Sequence, residues 1–257
     1  MGTEVKSAAK TTETSLELIE ALVELEGATI EELSEHLGLA PSTVHRHLAT
    51  LRKYKYVVSE DDRYRAGLQF LTVGGSVQRR TVDFPMIKEK VDELASTTGE
   101  RAQFIVEEHG ERVYLYTEVG DSAVQTGAHV GKRGTLHTSA AGKAILANLP
   151  ATRVEAIVDE HGLSKTGPNS ITSRGTLEEA FEAIRERGYA FNRQETTEGV
   201  HAVGAAVKGV DGDVIGGLSV SGPASRIKGE RLTEELPELV LGAVNELELH
   251  IKYSVHR

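Results

Sequence analysis

The chain has 257 residues and no cysteine, and its 39 acidic against 29 basic side chains give a formal net charge of −10. That length suits two domains rather than one, and the missing thiols exclude disulfides and thiolate metal sites and suit a reducing cytoplasm. No run of 18 apolar residues offers a membrane span, and the opening MGTEVKSAAKTTETS lacks the apolar core of a secretory signal, so residues 1–11 read as a disordered lead.

Three short helices are expected next. Thr14-Ser-Leu-Glu17 has the form of a capping box, with Leu18, Ile19, Leu22 and Leu25 on one face and Gly27 as the stop. Thr29-Ile-Glu-Glu32 is a second capping box, followed by Ile30, Leu33 and Leu37 and a tight turn at Gly38. Pro41 suits the first position of a third helix running from Ser42 to about Tyr54, with Val44, Leu48 and Leu51 inward. A hairpin follows, with Tyr56–Val58 as one strand, Asp61-Asp62 as the turn and Tyr64 opening the return. Two helices joined by a glycine turn, a third helix and a hairpin make a winged helix-turn-helix over residues 12–66.

Charge is segregated along this stretch. Residues 1–39 hold nine Glu but only Lys6 and Lys10 as basic partners, whereas His36 to Ser59 contains no acidic residue. On the third helix Ser42, Thr43, His45, Arg46 and His47 surround the apolar stripe, with Arg52 and Lys53 at its end. A helix of this kind can present its N-terminal half to the major groove, where Arg46 can grip guanine O6 and N7. The alternative is a surface helix of a winged module that contacts protein. Arg63 and Arg65 flank the wing and suit either a minor groove or a solvent-facing support.

Residues 67–82 read as a linker helix with an apolar stripe of Leu68, Phe70, Leu71, Val73 and Val77. The Gly74-Gly75 pair, costing about 1 kcal/mol per glycine relative to alanine, marks either a break or close approach to a second helix. The remainder, 83–257, is expected to be an α+β domain around an antiparallel sheet. Its helices are placed at Asp83 to about Gly99, 139–149, 151–161, 176–187 and about 230–251. Its strands are placed at Ala102–Glu108, Arg112–Val119, Ala123–Ala128, Val200–Val210 and Val214–Ser221, with Asp211-Gly212-Asp213 as a hairpin turn.

Four segments, in this order and spacing, carry a resemblance: SLELIEALVELEGATIEELSEHLGLAPSTVHRHLATLRKYKYVV, LHTSAAGKAILA, RERGYAFNRQETTEGVHAVGAAV and VIGGLSVSGPASRI. Over roughly residues 12 to 252 the chain resembles the IclR family of bacterial and archaeal transcription regulators. The resemblance implies a DNA-binding winged helix-turn-helix, a linker helix used in dimerisation and a GAF-like effector domain. It also implies binding of a palindromic double-stranded operator by a homodimer or homotetramer, under control of a small metabolite. Carried over, it places the effector against Ala140, Asn192, Val200, Ala202, Ser219 and Ser221. Ser219 and Ser221 share a strand face, and Gly216-Gly217 would leave backbone open to a ligand; the alternative is that both serines are satisfied by neighbouring backbone. Asn192 and Ala202 depart from the acidic or polar side chain and the Cys of relatives that bind keto acids. The expected pocket therefore has hydroxyls and an amide but no fixed charge, suiting a neutral or singly anionic metabolite of sugar or organic-acid catabolism.

No enzyme motif survives inspection. The stretch Gly217-Leu-Ser219-Val-Ser221-Gly222 lacks the second glycine of a G-x-S-x-G elbow, and Gly131-Lys132 and Gly142-Lys143 lack the upstream glycine of a P-loop. His109, His129, His137, His161 and His201 show no ligand spacing, so neither metal nor cofactor is expected. The acid excess fits a halophilic host and fits ordinary acidic cytoplasmic proteins equally.

Overall fold

The computed structural model describes residues 8–81, 83–123 and 127–254. The chain divides into two compact units, residues 1–80 and 81–257.

The first unit opens with α1 (Lys10–Glu24). Thr14 does not cap it. The helix begins a turn earlier, and the buried Thr14 hydroxyl donates to the Lys10 carbonyl at 3.0 Å, the i−4 back-bond open to a threonine inside a helix. The disordered lead expected over residues 1–11 therefore gives way to helix at Lys10, and residues 1–7 lie outside the described residues. The second capping box is present: in α2 (Ile30–Leu37) Thr29 Oγ1 accepts from Glu32 N at 3.2 Å, and Glu32 Oε2 accepts from Thr29 N at 2.8 Å. Gly38, at φ 64°, ends α2, and Pro41 opens α3 (Pro41–Lys53). The wing pairs β1 (Val57–Glu60) with β2 (Arg63–Ala66), slightly later than Tyr56–Val58. Asp61 and Asp62 both have positive φ, the condition a two-residue type I′ hairpin imposes. Leu18, Leu22, Leu33, Val44, Leu48 and Val57 close the core.

Helix α4 (Gln69–Arg79) runs unbroken through Gly74-Gly75 and has no buried residue. Leu68 and Leu71 are more than two-thirds exposed. A side chain at Gly74 would meet nothing within 4 Å, so no crowding among the described residues demands the glycine.

The second unit is a six-stranded antiparallel sheet between two helical layers. Its strand order is β5 (Arg133–Thr135), β4 (Glu111–Val119), β3 (Arg101–Glu108), β8 (Val214–Pro223), β7 (Val200–Lys208), β6 (Ala190–Arg193). On one face α5 (Phe84–Thr98) and α9 (Leu236–Ser254) pack on Phe104, Val203, Val207, Leu218 and Val220. On the other, α6 (Ala140–Asn148), α7 (Ala151–His161) and α8 (Arg174–Arg187) enclose Ile105, Ile145, Phe181 and Ile184. The division follows strand alternation: on β8, Leu218 and Val220 point to the α5/α9 layer and Ser219 and Ser221 to the other.

Three expectations are corrected. Of the strand expected at Ala123–Ala128, residues 124–126 lie outside the described residues and the flanking ones are not strand. The chain turns at Gly127 and Gly131, both with positive φ, before Arg133–Thr135 supplies the partner of β4. A π-helical turn, Arg231–Glu235, takes the opening of the expected 230–251 helix, and α9 continues from it. Gly216 and Gly217 are buried: a Cβ on Gly216 would strike the Phe104 ring at 2.4 Å, and one on Gly217 would stand 3.1 Å from Ala141. They serve close packing and leave no backbone open to a ligand. Among the described residues no helix is long and apolar enough to cross a membrane.

Candidate functional site

The α6/α7/α8 face of the sheet holds a cavity of about 110 Å³. All six residues carried over from the resemblance, Ala140, Asn192, Val200, Ala202, Ser219 and Ser221, line it. They reach it from β6, β7, β8 and the start of α6. Gly204 makes that convergence possible, because a Cβ there would lie 2.5 Å from Ala141 N and lift α6 off β7. Ser139 caps α6 by accepting from Gly142 N at 3.1 Å. The first turn, Ala140 and Ala141, thus presents its positive end to the cavity.

Sequence reasoning did not single out the residue that organises the serines. Gln103 on β3 lies opposite Ser219. Its Nε2 donates to Ser219 Oγ at 2.9 Å and Ser221 Oγ at 3.2 Å, and Ser221 donates to its Oε1 at 3.3 Å. The serines are therefore held by a side-chain amide, and Ser219 keeps its proton to donate. A lone polar residue in the apolar strand Ala-Gln-Phe-Ile-Val was the available signal. Asn192 turns inward: Oδ1 accepts from Glu195 N at 2.9 Å and Nδ2 donates to Thr196 Oγ1 at 3.0 Å. It shapes the loop whose Thr196 and Thr197 cover the cavity.

That loop is anchored by a buried ion pair between Lys143 of α6 and Glu195. Burial pushes the Lys143 pKa down and the Glu195 carboxylate pulls it back up, leaving it below the ordinary lysine value. His137, also buried, has its Nε2 3.0 Å from the Ser164 carbonyl. Its pKa is lowered, first by burial.

The cavity also corrects the expectation of an uncharged pocket. Arg112 and Tyr114 of β4, and Lys132, are in its wall, and Arg112 is only 7% exposed. A register shift hid them from the sequence. A bulge between Phe104 and Ile105 pairs Phe104 with Tyr116 but Ile105 with Tyr114, so Tyr116 faces α5 while Arg112 and Tyr114 face the cavity.

In the first unit, α3 exposes Ser42, His45, Arg46 and Lys53, with Thr43 half-buried. The Arg46 guanidinium has no ion-pair or hydrogen-bond partner among the described residues, and Lys53 lies over the Tyr54 ring. His47 is not on this face: its Nδ1 sits 2.8 Å from Ser15 Oγ on α1, because position 47 falls beside Val44, Leu48 and Leu51. Arg52 donates to Ser59 at 3.2 Å, Arg63 to the Gly27 carbonyl at 2.7 Å and to Glu32, and Arg65 to Glu60 at 3.3 Å. Arg63 is thereby tied to the start of α2.

Two family models cover most of the chain: the IclR helix-turn-helix domain over residues 12–61 and the bacterial transcriptional regulator IclR C-terminal domain over residues 82–248. The chain belongs to the IclR family. It is thus a helix-turn-helix transcription regulator with a C-terminal effector-binding domain. Among IclR relatives it is 34% identical to the probable HTH-type transcriptional regulator ArcR of Halobacterium salinarum, spanning 93% of this chain and 92% of that one. It is 28% identical to the transcriptional repressor IclR of Escherichia coli, across 91% and 87% of the two chains. The crystal structure of the Thermotoga maritima IclR superposes with a TM-score of 0.83 at 25% identity, covering 95% of this chain and 99% of that one. The α+β organisation expected from the sequence is the IclR fold.

Proposed function

We propose that the protein binds a palindromic operator through α3 of each copy in a homodimer or homotetramer, and that a small metabolite in the β3/β7/β8 cavity sets its DNA affinity. The observation that carries this is the meeting of Gln103, Ser219, Ser221 and the α6 N-terminus around one cavity in a chain whose α3 keeps Arg46 unspent. Ser42, Thr43, His45, Arg46 and Lys53 face the duplex. Arg52, Arg63 and Arg65 hold the wing in place, and His47 braces α3 on α1. The exposed stripe of α4 supplies the contact between copies, and Gly74 lets the second helix approach closely. The protein acts in the cytoplasm on genes of organic-acid or sugar catabolism, as a regulator and not as an enzyme.

A ligand shifts DNA binding only by preferring one arrangement of the protein. Replacing Ser219 and Ser221 together by alanine should abolish the ligand response while leaving operator affinity without ligand nearly unchanged. The coupling lost is about 1–3 kcal/mol, a shift of roughly 5–150-fold in operator affinity. Genome-wide DNA occupancy identifies the bound promoters, an operator-binding assay with metabolites of their pathway tests this, and an intact response in the double variant refutes the site.

A further inference from the structure

We propose that Arg112 is the group that reads the effector, and that the effector is therefore a small carboxylate. The inference rests on the cavity reading above and adds the ligand's charge. Arg112 is more than nine-tenths buried and lines the cavity, and its Nε is sealed from water with no hydrogen-bond partner among the described residues. It lies over the Tyr114 ring, 5.1 Å away. A buried Nε left without a partner is costly to the empty protein, and a guanidinium held with its fork at the cavity wall is placed to take an acceptor from outside.

Two features hold the charge there. The β3–β4 bulge turns Arg112 to the cavity face, and the residue opposite it on β5 is Gly134. A Cβ on Gly134 would stand 2.7 Å from Arg112 Nη2, so the glycine makes room for the fork.

The surroundings fix the sign and size of the guest. Among the described residues no Asp or Glu lines the cavity, while Lys132 adds a second positive charge, with its Nζ donating to the Gly127 carbonyl at 2.8 Å. The cavity is positive inside a chain of net charge −10. A guanidinium fork matches a carboxylate in bidentate fashion. The Gln103, Ser219 and Ser221 cluster can take a second oxygen. About 110 Å³ is less than the ~150 Å³ that accommodates benzene in an engineered cavity, which limits the enclosed part to two to four carbons.

The test is titration calorimetry on the full chain with glycolate, lactate and 2-hydroxybutyrate, their uncharged amides, and inorganic phosphate. At least one acid should bind about 10-fold or more tighter than its amide. Arg112→Gln should erase that preference, and Arg112→Lys should keep part of it. Arg112→Met should raise the melting temperature of the ligand-free protein, since it removes a buried Nε that has no partner. The charge assignment is overturned by amide binding equal to acid binding in the unmodified chain, by Arg112→Gln retaining the preference, or by Arg112→Met lowering the melting temperature. If Ser219→Ala/Ser221→Ala still removes binding in those cases, the cavity reading survives alone. Binding of phosphate with none of the acids, or of no probe at all, overturns the carboxylate class.

Discussion

Replacing Glu195 by glutamine removes one half of a buried ion pair and leaves its volume almost unchanged. Lys143 is 4% exposed and Glu195 8%, so the ammonium cannot recover its lost partner from water. Breaking a buried pair from one side costs about 3–5 kcal/mol. In a unit the size of residues 81–257, each kcal/mol shifts the melting temperature by roughly 2–4 °C. The expected fall at pH 7 is therefore about 6–20 °C. Its pH dependence has a definite sign. Burial lowers the Lys143 pKa in the folded chain, so the native state sheds this proton before the unfolded state does, and stability contributed here rises with pH. The deficit of Glu195→Gln should shrink between pH 7 and pH 9.5, because the variant can keep Lys143 neutral. The double variant Lys143→Met/Glu195→Leu, which buries no charge, should lie close to the unmodified protein. Scanning calorimetry at the two pH values decides the matter. An unchanged melting temperature at pH 7, or a deficit that widens with pH, refutes the reasoning.

Three further outcomes follow from the geometry. Arg46→Ala should weaken operator binding by about 1–3 kcal/mol and random-sequence DNA much less if the contact is to guanine; equal loss on both in competition binding makes Arg46 a phosphate contact. Leu71→Asp with Val77→Asp should dissociate the assembly at micromolar concentration, measured by light scattering, and an unchanged mass refutes α4 as the contact. The lowered His137 pKa means the folded state resists protonation, so stability is lost as pH falls below about 6.5, by at most ~1.4 kcal/mol per pH unit from this group. His137→Gln should flatten that acid limb in melts from pH 7 to pH 5, and an identical limb counts against it.

The sequence made the winged unit legible because its signals are local: Thr29 with Glu32, Gly38, Pro41 and the paired aspartates act within a few residues of themselves. Thr14 shows the limit, since the same cap pattern inside a longer helix spends its hydroxyl on the carbonyl behind it. The cavity was legible only where the resemblance reached. Ser219 and Ser221 could be placed by alternation, but Gln103 becomes their partner through a pairing across more than a hundred residues. Arg112 depends on a bulge that reverses the facing of β4, and no periodicity in the chain announces it. His47 is polar like the exposed residues of α3, yet it is half-buried against Ser15. Its position beside Leu48 and Leu51 already assigned it to the α1 side.

The alternation on β8 has an evolutionary consequence. Leu218 and Val220 belong to the α5/α9 core, while Ser219 and Ser221 face the cavity. Gln103 likewise stands between Ala102 and Phe104 of that core. The lining of the cavity is thus written on one side of a strand whose other side holds the domain together. If the cavity holds the effector as proposed, exchanging the cavity-side letters would alter the message to the genome without removing a methyl group of Leu218 or Val220 from the α5/α9 core, so a lineage could change the metabolite it answers to in single steps, each leaving a folded protein.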